Sequence, residues 1–308
     1  MLAPKDLPIV FIHNGNSDYL PYSLIQVRET NPDNPIYLLG DKSNACFGNI
    51  IKHRLVKDYF DKATTFAPHY EHHSSNGHDY ELFCIQRWFV LLEFLERNNF
   101  DQCLYLDSDI LYFGSACKEQ LATATHGMTS ITKSPHTNYV NSRAALTDFC
   151  DYITDSYATP QGKTRLAQYL KEHTDIHGPV GGISDMTFFL QYRKMHTDRI
   201  LDLSQVFDSA AGPFTYDITI DTPNGYQTET SGLKAVTFDE RNQPHILNLN
   251  SKEQVRYVTL HFQGHSKAHM GQYVRNKPAN YDALLSGYNR IRTWQRVVGK
   301  VKRIVGLK

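Results

Sequence analysis

The stretch CLYLDSDILYF, residues 103–113, decides how the chain is read. Apolar residues run up to Asp107, a second carboxylate follows at Asp109 with only Ser108 between, and the chain turns apolar again. A buried charge is costly unless it is paired or binds a metal, so two carboxylates in an apolar strand call for a cation. A spacing of two along a strand points both side chains to one face, and the strand's end lets them splay around a ligand. A hard divalent ion suits them, because such ions take few protein ligands and complete their shell from substrate phosphates. As a bare tripeptide, DxD is a weak signal, since acids are ordinary at strand ends. Its apolar lead and its place after a long helix shift the balance toward chemistry.

Upstream, YELFCIQRWFVLLEFLERNNF has Leu82, Phe83, Ile85, Phe89, Leu92 and Leu95 on one apolar face and predicts a helix leading into that strand. At the start, LPIVFIHNG predicts a short buried strand, SDYLPYSLIQVRET a helix and NPIYLLGD a second strand. A parallel strand, helix, strand unit places Asn14, Gly15, Gly40 and Asp41 at carboxyl ends of strands, where open α/β sheets bind ligands.

Downstream, SRAALTDFCDYITDSY, TRLAQYLKEH and ISDMTFFLQYRK carry helical patterns. From Phe214 the texture changes to short β-branched and aromatic runs broken by turn residues such as Pro223-Asn224-Gly225. They predict a β-rich extension, read as antiparallel and continuing the first sheet. No repeat or linker marks a boundary, so residues 1–285 are expected to form one catalytic domain, with 286–308 a separate C-terminal helix.

A second constellation is TLHFQGHSK. His261 ends a predicted strand, Gly264 allows close backbone approach, and Lys267 follows as a cation. Imidazole for an ion, backbone N–H groups for phosphate and an ammonium for a leaving group would together suit a diphosphate. A lone histidine at a strand end is more often only hydrogen-bonded, but three suitable groups at this spacing weaken that reading.

LYLDSDILYF resembles the DxD strand of GT-A-fold glycosyltransferases, and HFQGHSK is similar to the HxxGxxK signature of glycosyltransferase family eight. The resemblance implies a Rossmann-like mixed sheet flanked by helices, and a nucleotide-sugar donor held with a metal ion. It gives Asp107, Asp109 and His261 to the metal, and Ser108, Gly264 and Lys267 to the donor and its diphosphate. Asn14, Gly15 and Asp41 fall where base and ribose are held, and Arg87 where an arginine meets the sugar. Asp185, in GPVGGISDMTFF, stands where the family has an acidic motif at a helix start. In an inverting enzyme it would be the general base for the acceptor hydroxyl; in a retaining one, as the family implies, it would stabilise positive charge beside the anomeric carbon. It also reads simply as a helix N-terminal acid favoured by the macrodipole. Gly181 and Gly182 before it would let a sugar ring approach the backbone.

Two carboxylates, phosphate oxygens and one imidazole favour an octahedral ion that tolerates nitrogen, hence Mn²⁺ with Mg²⁺ as the alternative. The cluster His69, His72, His73 and His78 lies in a polar segment without helical register and reads as a loop rather than a zinc site. Lys+Arg and Asp+Glu both count 32 in 308 residues, which gives no reason to expect nucleic acid. Five cysteines without a CxxC pair read as reduced thiols in a cytosolic protein, and no segment is long and apolar enough to span a membrane. The closing YNRIRTWQRVVGKVKRIVGLK sets Ile291, Trp294, Val298, Val301 and Val305 at helical spacing, with Arg290, Arg292, Arg296, Lys300, Lys302, Arg303 and Lys308 around them. That pattern suits an anionic membrane surface, or an ordinary solvated helix.

The expectation is therefore a cytoplasmic glycosyltransferase at the inner membrane face, using a UDP-sugar and a glycan or glycolipid acceptor. Two alternatives stay open. One is a GT-A-like protein that binds nucleotide sugar or glycan without turnover. The other is a haloacid-dehalogenase-type phosphatase, disfavoured because Leu111 stands where its motif carries Thr or Val.

Overall fold

Short, fully buried apolar runs make the strands that lead to the motifs: Ile9–Ile12 and Cys103–Leu106 are buried at every position. The computed structural model describes residues 6–304, with side chains up to Val298. The first half of the chain forms β1 (Ile9–Ile12), α1 (Leu20–Thr30), β2 (Ile36–Gly40), β3 (Lys52–Leu55), α2 (Asp61–Phe66), α3 (His78–Arg97), β4 (Cys103–Leu106) and β5 (Ile110–Tyr112). Then follow α4 (Ala116–Thr123), β6 (Met128–Ser130), β7 (Thr137–Val140), α5 (Arg143–Ala158), α6 (Pro160–His177), α7 (Asp185–Met195) and β8 (Ile200–Asp202). The last third holds β9 (Phe214–Thr215), β10 (Thr237–Phe238), β11 (Pro244–Leu247), β12 (Gln254–Tyr257), β13 (Thr259–His261) and α8 (Tyr281–Ile304). The fold is mixed α/β, with parallel-rich sheet flanked by helices. Two compact units divide it: Met1–Ile12, Val56–Leu106 and Ala116–Val206 form the first, and His13–Leu55, Asp107–Ser115 and Phe207–Lys308 the second.

In the first unit β1 runs parallel to β4, with Ile9 opposite Leu104, and β7 joins β4 antiparallel. An aromatic core ties helices to this sheet. Trp88 of α3 lies 5.0 Å from Tyr105 of β4 and 4.8 Å from Phe189 of α7, which itself lies 4.3 Å from Phe149 of α5. Trp88, Tyr105, Phe149 and Phe189 are all fully buried, a contribution of roughly 1.5–3 kcal/mol for each large apolar side chain. Thr159 starts α6 by accepting the Gly162 N–H at 2.9 Å, with Pro160 in the first turn.

In the second unit β2 and β3 are parallel, and β5 pairs antiparallel with β13, His261 facing Ile110. Helix α1 is stitched to β5 by polar side chains: Ser23 Oγ donates to the Ile110 carbonyl at 2.6 Å and Thr30 Oγ1 to that of Tyr112 at 3.0 Å. The expected continuation of the first sheet is corrected here. The C-terminal strands form their own sheet in the order β10-β11-β12-β9, in which β12 and β9 are parallel. Strands β9 to β12, of two to four residues and cut by turn residues such as Asn224 and Asn242, both at positive φ, pair with one another and pack on a core that includes Ile246, Val255 and Tyr257.

Candidate active site

The DxD residues lie in a turn. Asp107, Ser108 and Asp109 fall between β4 and β5, and the Ile110 N–H donates to the Asp107 carbonyl at 3.2 Å. The expectation of two carboxylates in strand register is thus replaced by a tight turn, whose bend does the splaying that a strand end was asked to do. Antiparallel pairing then brings the second motif to it. With His261 opposite Ile110, the next step along β13 gives a Phe262 N–H to Asp109 carbonyl bond of 3.0 Å.

His261 Nε2 lies 3.8 Å from Asp109 Oδ1, and Lys267 Nζ lies 3.0 Å from Asp109 Oδ2. The ring's other nitrogen, Nδ1, contacts the Ile218 carbonyl at 2.6 Å. A carbonyl only accepts, so Nδ1 carries a proton, and in the neutral ring Nε2 is then the nitrogen that can act as a ligand on the side of the Asp109 carboxylate. The 3.8 Å separation suits two ligands of one shared cation, since two ligands of one ion at about 2.1 Å lie within roughly 4.2 Å of each other. The carbonyl on the far nitrogen is the usual second partner of a metal-bound histidine. Among the described residues no three His, Cys, Asp or Glu side chains are grouped to hold an ion, so Asp107 does not complete a protein cage with the other two. A divalent ion therefore fits here as one that takes its remaining ligands from a phosphate-bearing substrate.

Sequence reasoning missed the support beneath His261. Asp217, fully buried, accepts the His261 backbone N–H on Oδ2 at 3.0 Å. Its other oxygen pairs with Lys234 Nζ, itself 1% exposed, which also donates to the Thr219 carbonyl at 2.8 Å. Asp217 and Lys234 stand 17 residues apart in short strands and turns, and no periodicity signals the pair.

The turn is tied on its other side to the loop after β1. Ser108 Oγ bonds His13 Nδ1 at 2.8 Å, and His13 Nε2 contacts Ser17 Oγ at 3.2 Å. Gly15 N–H donates to Asp41 Oδ2 at 2.7 Å, and Ser43 N–H to Asp41 Oδ1 at 2.6 Å. Buried Asn44 donates to the carbonyls of His13 and Gly15 at 2.8 and 2.9 Å. Asp41 therefore joins two loops as well as being a candidate ribose ligand, and Asn14 stays exposed beside them. Burial works against the Asp41 charge, but hydrogen bonds from Ser43, Gly15 and Asn44 outweigh it and hold the carboxyl below its ordinary value. Burial likewise opposes the Lys267 charge, and Asp109 overrides it to raise that pKa. Gly264 has φ +57° and open space where a Cβ would stand, so its backbone is accessible.

Burial holds His13 below its ordinary 6.5, against the pull of Asp109 and Asp41. A histidine kept neutral in the fold contributes stability that is complete above the unfolded pKa and is lost as pH falls through the folded one. Unfolding free energy of the metal-free protein should thus decline as pH is lowered below about 6.5, and His13→Gln should flatten the decline. Denaturant titrations across that range check it, and an unchanged slope in the variant would remove His13 as the source.

Arg87 and Asp185 meet in the first unit. Arg87 Nε and Nη2 donate to Asp185 Oδ2 at 3.1 and 2.5 Å, and Trp88 Nε1 donates to the same oxygen at 3.2 Å. Arg87 Nη1 also donates to Tyr105 Oη at 3.1 Å. The Asp185 side chain is 5% exposed, and all three donors fall on Oδ2. Gly182, read from sequence as room for a sugar, has another reason to be glycine. Its φ is +130° and a Cβ would stand 2.1 Å from the His73 carbonyl oxygen, because the segment crosses residues 73–75 with Ile183 N–H bonded to that carbonyl at 2.8 Å.

Helix α8 packs by Tyr288, whose ring lies 4.5 Å from Phe47 and whose hydroxyl donates to Asn49 at 2.9 Å. Gln295 reaches the loop after β2, its Nε2 donating to the Ser43 carbonyl at 2.8 Å. Trp294 and Val297 are 66% and 53% exposed. Val301, Val305, Lys300, Lys302, Arg303 and Lys308 lie outside the residues whose side chains are described. No described helix is long and apolar enough to cross a membrane.

No family model matches the chain, and no curated protein does. Among solved structures, mouse xyloside xylosyltransferase 1 in its apo form is similar at 10% identity and TM-score 0.42, over 65% of this chain and 85% of that one. GlyE, a glycosyltransferase of Streptococcus pneumoniae TIGR4, is similar at 13% identity and TM-score 0.33, over 64% of this chain and 45% of its own. PaToxG glycosyltransferase is similar at 13% identity and TM-score 0.35, over 62% and 69%.

Proposed function

We propose that the chain is a metal-dependent GT-A glycosyltransferase that moves a sugar from a UDP-sugar to a glycan or glycolipid hydroxyl, with retention. The observation that carries this reading is the convergence of Asp109 of the DxD turn with His261 and Lys267, His261 Nε2 lying 3.8 Å and Lys267 Nζ 3.0 Å from the Asp109 carboxylate. Asp109 and His261 would hold the ion, Mn²⁺ by preference because of the imidazole, and Asp107 would reach the donor from the same turn. Bound there, the ion would neutralise charge building on the diphosphate leaving group. Lys267 adds a second positive charge, and the open backbone at Gly264 gives phosphate oxygens a place to approach. Loop residues Asn14, Gly15 and Asp41 take the nucleoside in this reading.

Retention is favoured by how Asp185 is held: three donors from Arg87 and Trp88 fix one oxygen of this carboxylate in place, which suits a group that stays beside developing positive charge rather than one that moves with an acceptor proton. Asp185→Asn is expected to lower kcat by about 100-fold while leaving UDP affinity unchanged. The test is release of UDP from UDP-glucose, UDP-galactose, UDP-xylose and UDP-N-acetylglucosamine with Mn²⁺, with the product anomer read by NMR. An inverted product would return Asp185 to the role of base, and donor binding without turnover would favour a binding protein.

A glycolipid acceptor would be met at a membrane surface, for which the exposed Trp294 and Val297 beside Arg290 and Arg296 are suited. Sedimentation with phosphatidylglycerol vesicles is expected to capture the protein at low salt, and Trp294→Glu with Val297→Glu to release it. Equal capture of both forms would end that part of the proposal.

A further inference from the structure

A second polar site lies in the first unit, lined in part by Gly181, Gly182 and Ser184, the last of these next to Asp185 in sequence. A cavity of about 190 Å³ opens between the C-terminal half of α6, the outer side of α7 and the segment Ser74–Glu81. That is room for roughly six waters, the order of a single sugar ring. Its chemistry is mixed in a specific way. Glu81 and Glu172 bring carboxylates, Lys133 and Lys194 bring ammonium groups, and Tyr169 and Leu190 supply an aromatic and an aliphatic wall.

Glu81 is 2% exposed, and its Oε2 accepts from Asn76 Nδ2 at 2.8 Å and from Ser74 Oγ at 3.1 Å. Burial pushes its pKa up. The two hydrogen bonds offset the cost of keeping this carboxyl out of water and hold it at the cavity wall. Carboxylates in the wall disfavour a phosphate or other polyanion, and ammonium groups beside them disfavour a bare cation. A ligand of neutral hydroxyl groups satisfies both, because each hydroxyl donates to a carboxylate and accepts from an ammonium. The apolar wall then faces the C–H side of a ring.

We infer that this cavity is a carbohydrate-binding subsite that holds one sugar unit of a glycan. In naming that glycan as the acceptor the inference rests on the proposed transferase function; as a sugar site it stands independently. The loop that forms one side is fixed in place by Ser75, whose N–H donates to the Gly181 carbonyl at 2.7 Å and whose Oγ accepts the Gly181 N–H at 2.7 Å. The wall at Glu81 is therefore built before any ligand arrives.

The test is binding of the full chain to an array of immobilised neutral and acidic oligosaccharides, compared with Leu190→Trp, which fills the cavity, and Glu172→Gln, which removes one charge without changing shape. Titration with UDP and Mn²⁺ on the same preparations reports on the donor site and on folding. The expected result is binding to neutral glycans by the wild type, at least tenfold weaker in both variants, with UDP binding unchanged. No bound glycan, preference for acidic ones, or equal binding by the variants would overturn the inference. Glycan binding without any UDP binding would uphold the subsite and count against the transferase reading instead.

Discussion

Lys234→Met is expected to destabilise the protein by about 3–5 kcal/mol, a large share of the roughly 5–15 kcal/mol typical of a folded domain. Lys234 and Asp217 are 1% and 0% exposed, so removing the ammonium takes a positive charge from beside a carboxylate in the interior. Methionine keeps the length and apolar body of the side chain, which isolates the charge effect from a cavity effect. The double variant Asp217→Asn with Lys234→Met should recover part of the loss, because the charge is gone and an amide oxygen still accepts the His261 N–H. Urea unfolding of the three proteins checks this. A single variant as stable as the wild type would show that the pair is not what supports the strand carrying His261.

His261→Ala is expected to lower kcat/KM at limiting Mn²⁺ by on the order of 100-fold or more, and to move the Mn²⁺ activation curve to higher concentration. The warrant is the tautomer. With Nδ1 committed to the Ile218 carbonyl, Nε2 is available as a ligand only in the neutral ring, and alanine removes it without disturbing the β5 and β13 pairing. Folding should suffer much less, since the backbone bond to Asp217 remains. An activation curve that superimposes on the wild type would sink the assignment of His261 to the ion.

Much of the frame was legible because its signals are local. The apolar runs at Ile9–Ile12 and Cys103–Leu106, and the apolar stripe of α3, are strands and a helix wherever they are packed. The two motifs were legible for the same reason, and the structure places Asp109, His261 and Lys267 within ion-pair distance although more than 150 residues separate them in sequence, from 109 to 267. What was not legible depends on tertiary pairing. Strand periodicity suggested that Asp107 and Asp109 continue β4, but the turn bond from Ile110 to Asp107 ends it. His13, Asn44, Asp217 and Lys234 have no motif; each matters through a partner that only folding supplies. Gly182 was read as an opening toward a ligand; it does line the cavity in the first unit, but its missing Cβ is required by the crossing of residues 73–75, which only the fold supplies.

The most direct measurement is isothermal titration of the protein with UDP, with and without Mn²⁺, beside Asp109→Ala. The turn and its partners predict that UDP binds in the presence of Mn²⁺, that affinity falls at least tenfold without the ion, and that Asp109→Ala binds weakly whether or not Mn²⁺ is present. UDP binding indifferent to both the ion and Asp109 would contradict the metal-diphosphate site on which the proposed function stands.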